Sequence, residues 1–137
     1  IKMRKLIIQL WYWLPPLALM SIIFYLSAQP DLPHTPVYWL DLLIKKLGHA
    51  TEYAILFLLL FRAWHHDYPL AQALRTSLLI TAVYAISDEL HQAFVPGRHA
   101  NWYDVLIDLS ATPVLWRILC HNGRLSIPRG QDKDLTE

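Results

Sequence analysis

Asp88-Glu89-Leu90-His91-Gln92 brings two carboxylates, an imidazole and an amide together, and the turn pair Pro96-Gly97 then leads to Arg98. An imidazole exchanges protons near neutral pH, and a carboxyl can serve it as acid or base. An arginine presents a planar fork of N–H donors that suits a phosphate, a carboxylate or a developing oxyanion. Asp88, Glu89, His91 and His49 are thus the candidates for proton transfer. Arg98, Gln92, Lys46, Tyr53, Asp104, Glu52 and Gln29 are the candidates for holding a ligand. His49, Asp88 and His91 also carry nitrogen and oxygen donors that a divalent metal could use. No HExxH spacing supports that set and one cysteine, Cys120, leaves no cysteine-based zinc motif, so no cofactor is expected.

Helical spacing sorts these groups. Tyr84, Asp88, His91 and Gln92 fall on one face, with Glu89 about 100° round from Asp88. His49, Glu52 and Tyr53 share a second face, and Asp104 and Asp108 a third. The five carboxylates Glu52, Asp88, Glu89, Asp104 and Asp108 would repel if they met, with Lys46, Arg98, His49 and His91 as compensators. At least one of the five is expected to have a raised pKa.

The elements that must position them are apolar. Hydrophobic residues form 55% of the 137-residue chain and charged ones 17%, which is the balance of a membrane protein of one domain. Net charge of +1 says little about partners, and no nucleic-acid-binding or nucleotide-binding signature is present, so no nucleic-acid partner is expected. With Met3 third, Ile1 and Lys2 are expected to lie ahead of the natural start. Residues 6–28 are long enough to cross a bilayer and too long for a signal peptide, with a kink expected at Pro15. Thr35-Pro36 has the form of a helix start. Val37, Leu40, Ile44 and Leu47 then predict a short amphipathic helix on the membrane surface, anchored by Tyr38 and Trp39. Residues 47–64 and 74–95 are read as the second and third spans, the latter ended by Gly97 in a left-handed turn. Residues 104–120 form a fourth, weaker span, and 124–137 a polar tail. The expectation is an all-α polytopic membrane domain over residues 1–123, a four-helix bundle with an interfacial helix between spans one and two.

Lysine and arginine placement sets its orientation. Lys2, Arg4, Lys5, Arg62, Arg75, Arg117, Arg124, Arg129 and Lys133 fall on one side, and Lys45, Lys46 and Arg98 on the other, which puts both termini in the cytoplasm. Overlaying the spans then places Lys46, His49, Glu52, Tyr53, Asp88, Glu89, His91, Gln92, Asp104 and Asp108 in one layer, open to the extracytoplasmic face. Each ionised group near a bilayer midplane costs about 2.5–3.5 kcal/mol, so such groups are kept where they face protein, water or a ligand.

The pattern Lys46-x-x-His49-x-x-x-Tyr53, then Asp88-Glu89-x-His91-Gln92-x-Phe94-x-Pro96-Gly97-Arg98, then Asp104, resembles the VanZ-like family. Ser27-x-Gln29-Pro30 is similar to its opening motif. Asp108 stands where that family usually has Asn, and Ala111 and Leu115 where it usually has glycines. The resemblance implies a small integral membrane protein of the bacterial inner membrane and cell envelope. It also implies a link to teicoplanin (lipoglycopeptide) antibiotic resistance, with no settled reaction. Three classes of function follow. A binding protein would hold an amphiphilic envelope ligand, such as a cell-wall lipid or a lipoglycopeptide, among membrane lipids. A membrane-embedded hydrolase or transferase would act on a lipid-linked substrate, with His49 or His91 as base and Arg98 on an oxyanion. A proton-coupled exporter would need polarity that continues inward, and the spans lack it.

Overall fold

The computed structural model describes residues 2–30, 36–98 and 100–126. Helices α1 (Lys2–Ser27), α2 (Tyr38–His65), α3 (Leu70–Ala93), α4 (Trp102–Asp108) and α5 (Thr112–Ser126) account for nearly all of it, with no strand among the described residues. The all-α expectation stands. Two helices, Met3–Ser27 and Leu70–Ala93, are long and apolar enough to cross a membrane by length and composition.

The expected interfacial helix does not exist as a separate element. Residues 38–65 form one helix of 28 residues, about 42 Å at 1.5 Å per residue. Nothing between the two expected elements can break it, since a single glycine, Gly48, costs only about 1 kcal/mol in a helix interior. Its N-cap is Val37, while the expected cap, Thr35, lies outside the described residues. The fourth span is also corrected, because residues 109–111 divide it into α4 and α5. Pro113 cannot donate to the Leu109 carbonyl, and Thr112 satisfies that carbonyl instead, through its backbone N–H at 3.0 Å and its hydroxyl at 2.7 Å. Helix α5 continues to Ser126, into the expected tail, of which residues 127–137 lie outside the described ones.

Helix α3 packs most extensively against α2. Ala73, Ser77, Thr81 and Ala85, each fully buried, recur every four residues and let the backbones approach. The Ser77 and Thr81 hydroxyls are satisfied within the helix, donating to the Ala73 and Ser77 carbonyls at 2.7 and 2.8 Å. Tyr53, Leu56 and Leu60 of α2 meet Ala85 of α3 and Ile23 of α1 in the core. The Tyr84 hydroxyl donates to the Met20 carbonyl of α1 at 2.5 Å. At the opposite end from the polar cluster, Trp13 meets Trp64 edge-on and Arg62 lies over the Tyr12 ring at 4.8 Å.

Polarity is distributed inside out. Ser27, Ser77, Thr81, Asp88, Glu89, Gln92, Asp108 and Thr112 are buried, whereas Leu10, Leu14, Leu17, Leu79, Val83, Ile86, Leu90 and Val114 are exposed. A soluble domain does not cover itself with a continuous apolar surface of this kind.

After α3, Val95-Pro96-Gly97-Arg98 forms a tight turn closed by the Arg98 N–H on the Val95 carbonyl at 3.1 Å. Gly97 has φ +82°, as expected of the third residue of a type II turn. A Cβ there would meet no atom within 4 Å, so Gly97→Ala suffers only the left-handed backbone. We expect it to cost about 1–2 kcal/mol, read as a lowered melting temperature in detergent.

Candidate functional site

The turn brings Arg98 back over the end of α1. Its Nε donates to the Gln29 carbonyl at 3.1 Å, its Nη2 to the Leu26 carbonyl at 3.2 Å, and its Nη1 to Gln92 Oε1 at 3.3 Å. A guanidinium thus sits on carbonyls at the end of α1, the negative pole of its dipole, sharing the Leu26 carbonyl with the Gln29 N–H at 3.1 Å. An arginine has five N–H donors, so two remain for something else.

Beneath Arg98 lies a buried knot joining α1 and α3. Asp88, 3% exposed, accepts hydrogen bonds through Oδ2 from the Ser27 hydroxyl at 2.8 Å and from Gln92 Nε2 at 3.0 Å. Its Oδ1 and the hydroxyl of the adjacent Tyr53 are buried with no hydrogen-bond partner among the described residues. Glu89, one position on, faces the other way. Its Oε1 accepts the backbone N–H of Asn101 at 2.6 Å and so fixes the start of α4 against α3.

Helix α4 then turns Asp104 and Asp108 towards α2. Lys46 pairs with Asp104 and also lies over the Tyr103 ring, 5.1 Å from its centre. His49 Nδ1 stands 3.8 Å from Asp108 Oδ1. Lys45 pairs with Asp41 one turn along α2 at 2.7 Å.

These groups surround an open cavity of about 400 Å³, whose polar lining includes Asp41, Lys45, Lys46, His49, Glu89, Gln92, Arg98, Asp104 and Asp108. A second lobe of about 150 Å³ shares Lys45, His49 and Arg98 with it and adds Ser27 and Glu52. Of the residues singled out by type and spacing, Lys46, His49, Glu89, Gln92, Arg98 and Asp104 reach the larger lobe and Glu52 the smaller. Asp88 and Tyr53 lie behind the wall, in the buried knot. Gln29 contributes its backbone carbonyl, while its side chain donates back to the Tyr25 carbonyl at 3.1 Å. His91 is elsewhere, stacked on Phe24 with ring centres 4.2 Å apart and its Nδ1 unpartnered among the described residues. His49, Asp88 and His91 therefore do not converge on a point, and among the described residues no three His, Cys, Asp or Glu side chains form a metal-binding group.

The first turns of α2 supply what residue spacing did not single out. Tyr38, Asp41 and Lys45 line the cavity because α2 does not stop before His49. The signal was present, since Tyr38, Asp41, Lys45, His49 and Glu52 follow one another at intervals of three or four. Taking 47–64 as a separate span hid it.

No curated protein and no solved structure matches the chain. The family model described as VanZ/LLP1 matches residues 9–119, which include the end of α1, the Lys46–Tyr53 face, the Asp88–Arg98 block and α4. That match spans most of the chain, and with two helices long and apolar enough to cross a bilayer it points to a membrane protein. By that match the chain belongs to the VanZ/LLP1 family, which is associated with glycopeptide resistance.

Proposed function

We propose that the chain is a four-span protein of the bacterial inner membrane, with both termini cytoplasmic and its polar cavity open to the extracytoplasmic face. In this reading α1, α2 and α3 are the first three spans, and α4 with α5 makes the fourth as a broken helix. Such breaks are tolerated where protein covers the freed backbone groups. The cavity binds the polar head of an amphiphile from the cell envelope, a lipid-linked precursor or a lipoglycopeptide, whose apolar chains lie along the lipid-facing surface.

One observation carries this reading. A cavity of about 400 Å³ lined by charged groups opens at one end of a bundle whose outside is apolar. That volume suits a head group rather than a whole lipoglycopeptide. Arg98 anchors the ligand's anionic group with its two unused donors, because Lys46 is already held by Asp104.

Saturation binding of lipid-linked cell-wall precursors to the purified chain tests the reading. The expected result is one saturable site, lost in Arg98→Ala; unchanged binding in that variant would refute the anchor. Expressed in a sensitive strain, the wild type should raise the inhibitory concentration of teicoplanin more than that of a glycopeptide lacking an acyl chain.

A second reading, a membrane-embedded hydrolase or transferase, is favoured by the placing of an imidazole and a carboxyl together at the cavity wall, His49 Nδ1 3.8 Å from Asp108 Oδ1. Turnover of a lipid-linked substrate in detergent, abolished by His49→Ala, would replace the binding reading with this one.

A further inference from the structure

Four carboxyl groups, Asp41, Glu89, Asp104 and Asp108, line the larger lobe against Lys45, Lys46 and Arg98, and the excess has a location. Lys45 is matched by Asp41 and Lys46 by Asp104. Arg98 is turned to the end of α1 and to Gln92. Glu89 and Asp108 remain, both buried and both lining the larger lobe, without a lysine or arginine in ion-pair contact among the described residues. Asp108 is 3% exposed and accepts no hydrogen bond among the described residues, His49 being too far for one at 3.8 Å. Glu89 uses Oε1 on Asn101, and its other oxygen accepts none among the described residues. Two buried carboxyl groups facing one cavity, neither paired with a lysine or arginine among the described residues, offer acceptors to a donor carrying positive charge.

A metal ion is a poor candidate for that donor, because the described carboxylates and histidines do not converge as ligands around a point. An ammonium is a better one, since its three N–H donors reach separated acceptors and it binds through hydrogen bonds.

We propose that the cavity selects amphiphiles whose head group carries a free ammonium beside an anionic group, the ammonium held by Glu89 and Asp108 and the anion by Arg98. This proposal rests on the amphiphile reading above and narrows it to zwitterionic heads. The same pair of charges occurs in ethanolamine phospholipids and in soluble aminophosphates, so the test separates those sources.

The full chain in detergent micelles is titrated with short-chain phosphatidylethanolamine, its N-acetylated form, phosphatidylglycerol of the same chain length, and free phosphoethanolamine. Phosphatidylethanolamine should bind at least about tenfold tighter than the N-acetylated lipid or phosphatidylglycerol, both of which lack the ammonium and its charge-assisted hydrogen bonds. Asp108→Asn and Glu89→Gln should each remove about tenfold of that preference for phosphatidylethanolamine over phosphatidylglycerol. Both variants keep the side-chain shape, and in Glu89→Gln the new amide oxygen still offers an acceptor to the Asn101 N–H. Equal binding of phosphatidylethanolamine and phosphatidylglycerol overturns the ammonium proposal while leaving the amphiphile reading in place. Phosphoethanolamine binding as tightly as the lipid supports the ammonium contacts and removes the need for an acyl chain. No saturable binding of any probe overturns both.

Discussion

Val83→Asp is expected to abolish accumulation of the chain in membranes. Val83 lies near the middle of α3 and is 58% exposed, on the face that Leu79, Ile86 and Leu90 also present outward. On a water-facing helix that substitution would be close to neutral, since surface changes away from special contacts stay within about 0.5 kcal/mol. Facing lipid, an aspartate at a span's centre costs about 2.5–3.5 kcal/mol of insertion free energy. Helix α3 can supply little in reserve, because its interior face already carries Ser77, Thr81, Asp88, Glu89 and Gln92. Membrane fractionation with an epitope tag reads the result, and Val83→Leu is the control that should behave as wild type. Normal accumulation of the aspartate variant would show that this face does not meet lipid.

Asp88→Ala should be the most destructive substitution in the polar half. It removes the shared acceptor of Ser27 and Gln92, leaving the buried Ser27 hydroxyl unsatisfied at about 1–3 kcal/mol and Gln92 Nε2 with only its longer bond to Ser27 Oγ, at 3.4 Å. Gln92 also receives Arg98, so loosening its amide should release the arginine from α1 and disturb the cavity mouth. Asp88→Asn is expected to behave differently. Its carboxamide oxygen can occupy the place of Oδ2 and its NH₂ the place of Oδ1, where the Tyr53 hydroxyl lacks a partner among the described residues. Thermal unfolding in detergent should therefore show a large loss for alanine and little or none for asparagine. An asparagine variant that folds normally yet loses ligand binding would assign Asp88 an electrostatic part in the site. Equal damage from both would mean that the negative charge itself holds α1 to α3.

How much of this was legible in residue order depends on the kind of interaction. Local spacing alone placed Asp88 and Gln92 on one face, ended α3 before Gly97, and gathered the acidic groups towards one end of the helices. The extent of α2 was not legible, because amphipathic character in residues 37–47 is equally compatible with a surface helix and with a span continued past the hydrocarbon. The contacts of Lys46 with Asp104 and Tyr103 separate those possibilities, and they come from residues far along the chain. The break at 109–111 was likewise hidden, since Pro113 can either kink a span or begin a new helix.

Residue types and their intervals determined by themselves that this chain is helical, that its apolar stretches suit a membrane, and that its acidic groups gather towards one end of the helices. Only the tertiary structure decided which of those groups share a cavity. It put His49 against Asp108 and His91 against Phe24, although both are histidines on amphipathic helical faces. It also turned Asp88 inward and Glu89 onto α4, although they are neighbours in the chain. The physical reason is that helical period settles the angle at which a side chain leaves its own axis. The partner it then meets depends on how the axes are packed, and small residues such as Ala73, Ser77, Thr81 and Ala85 set that packing by how closely they let α2 approach.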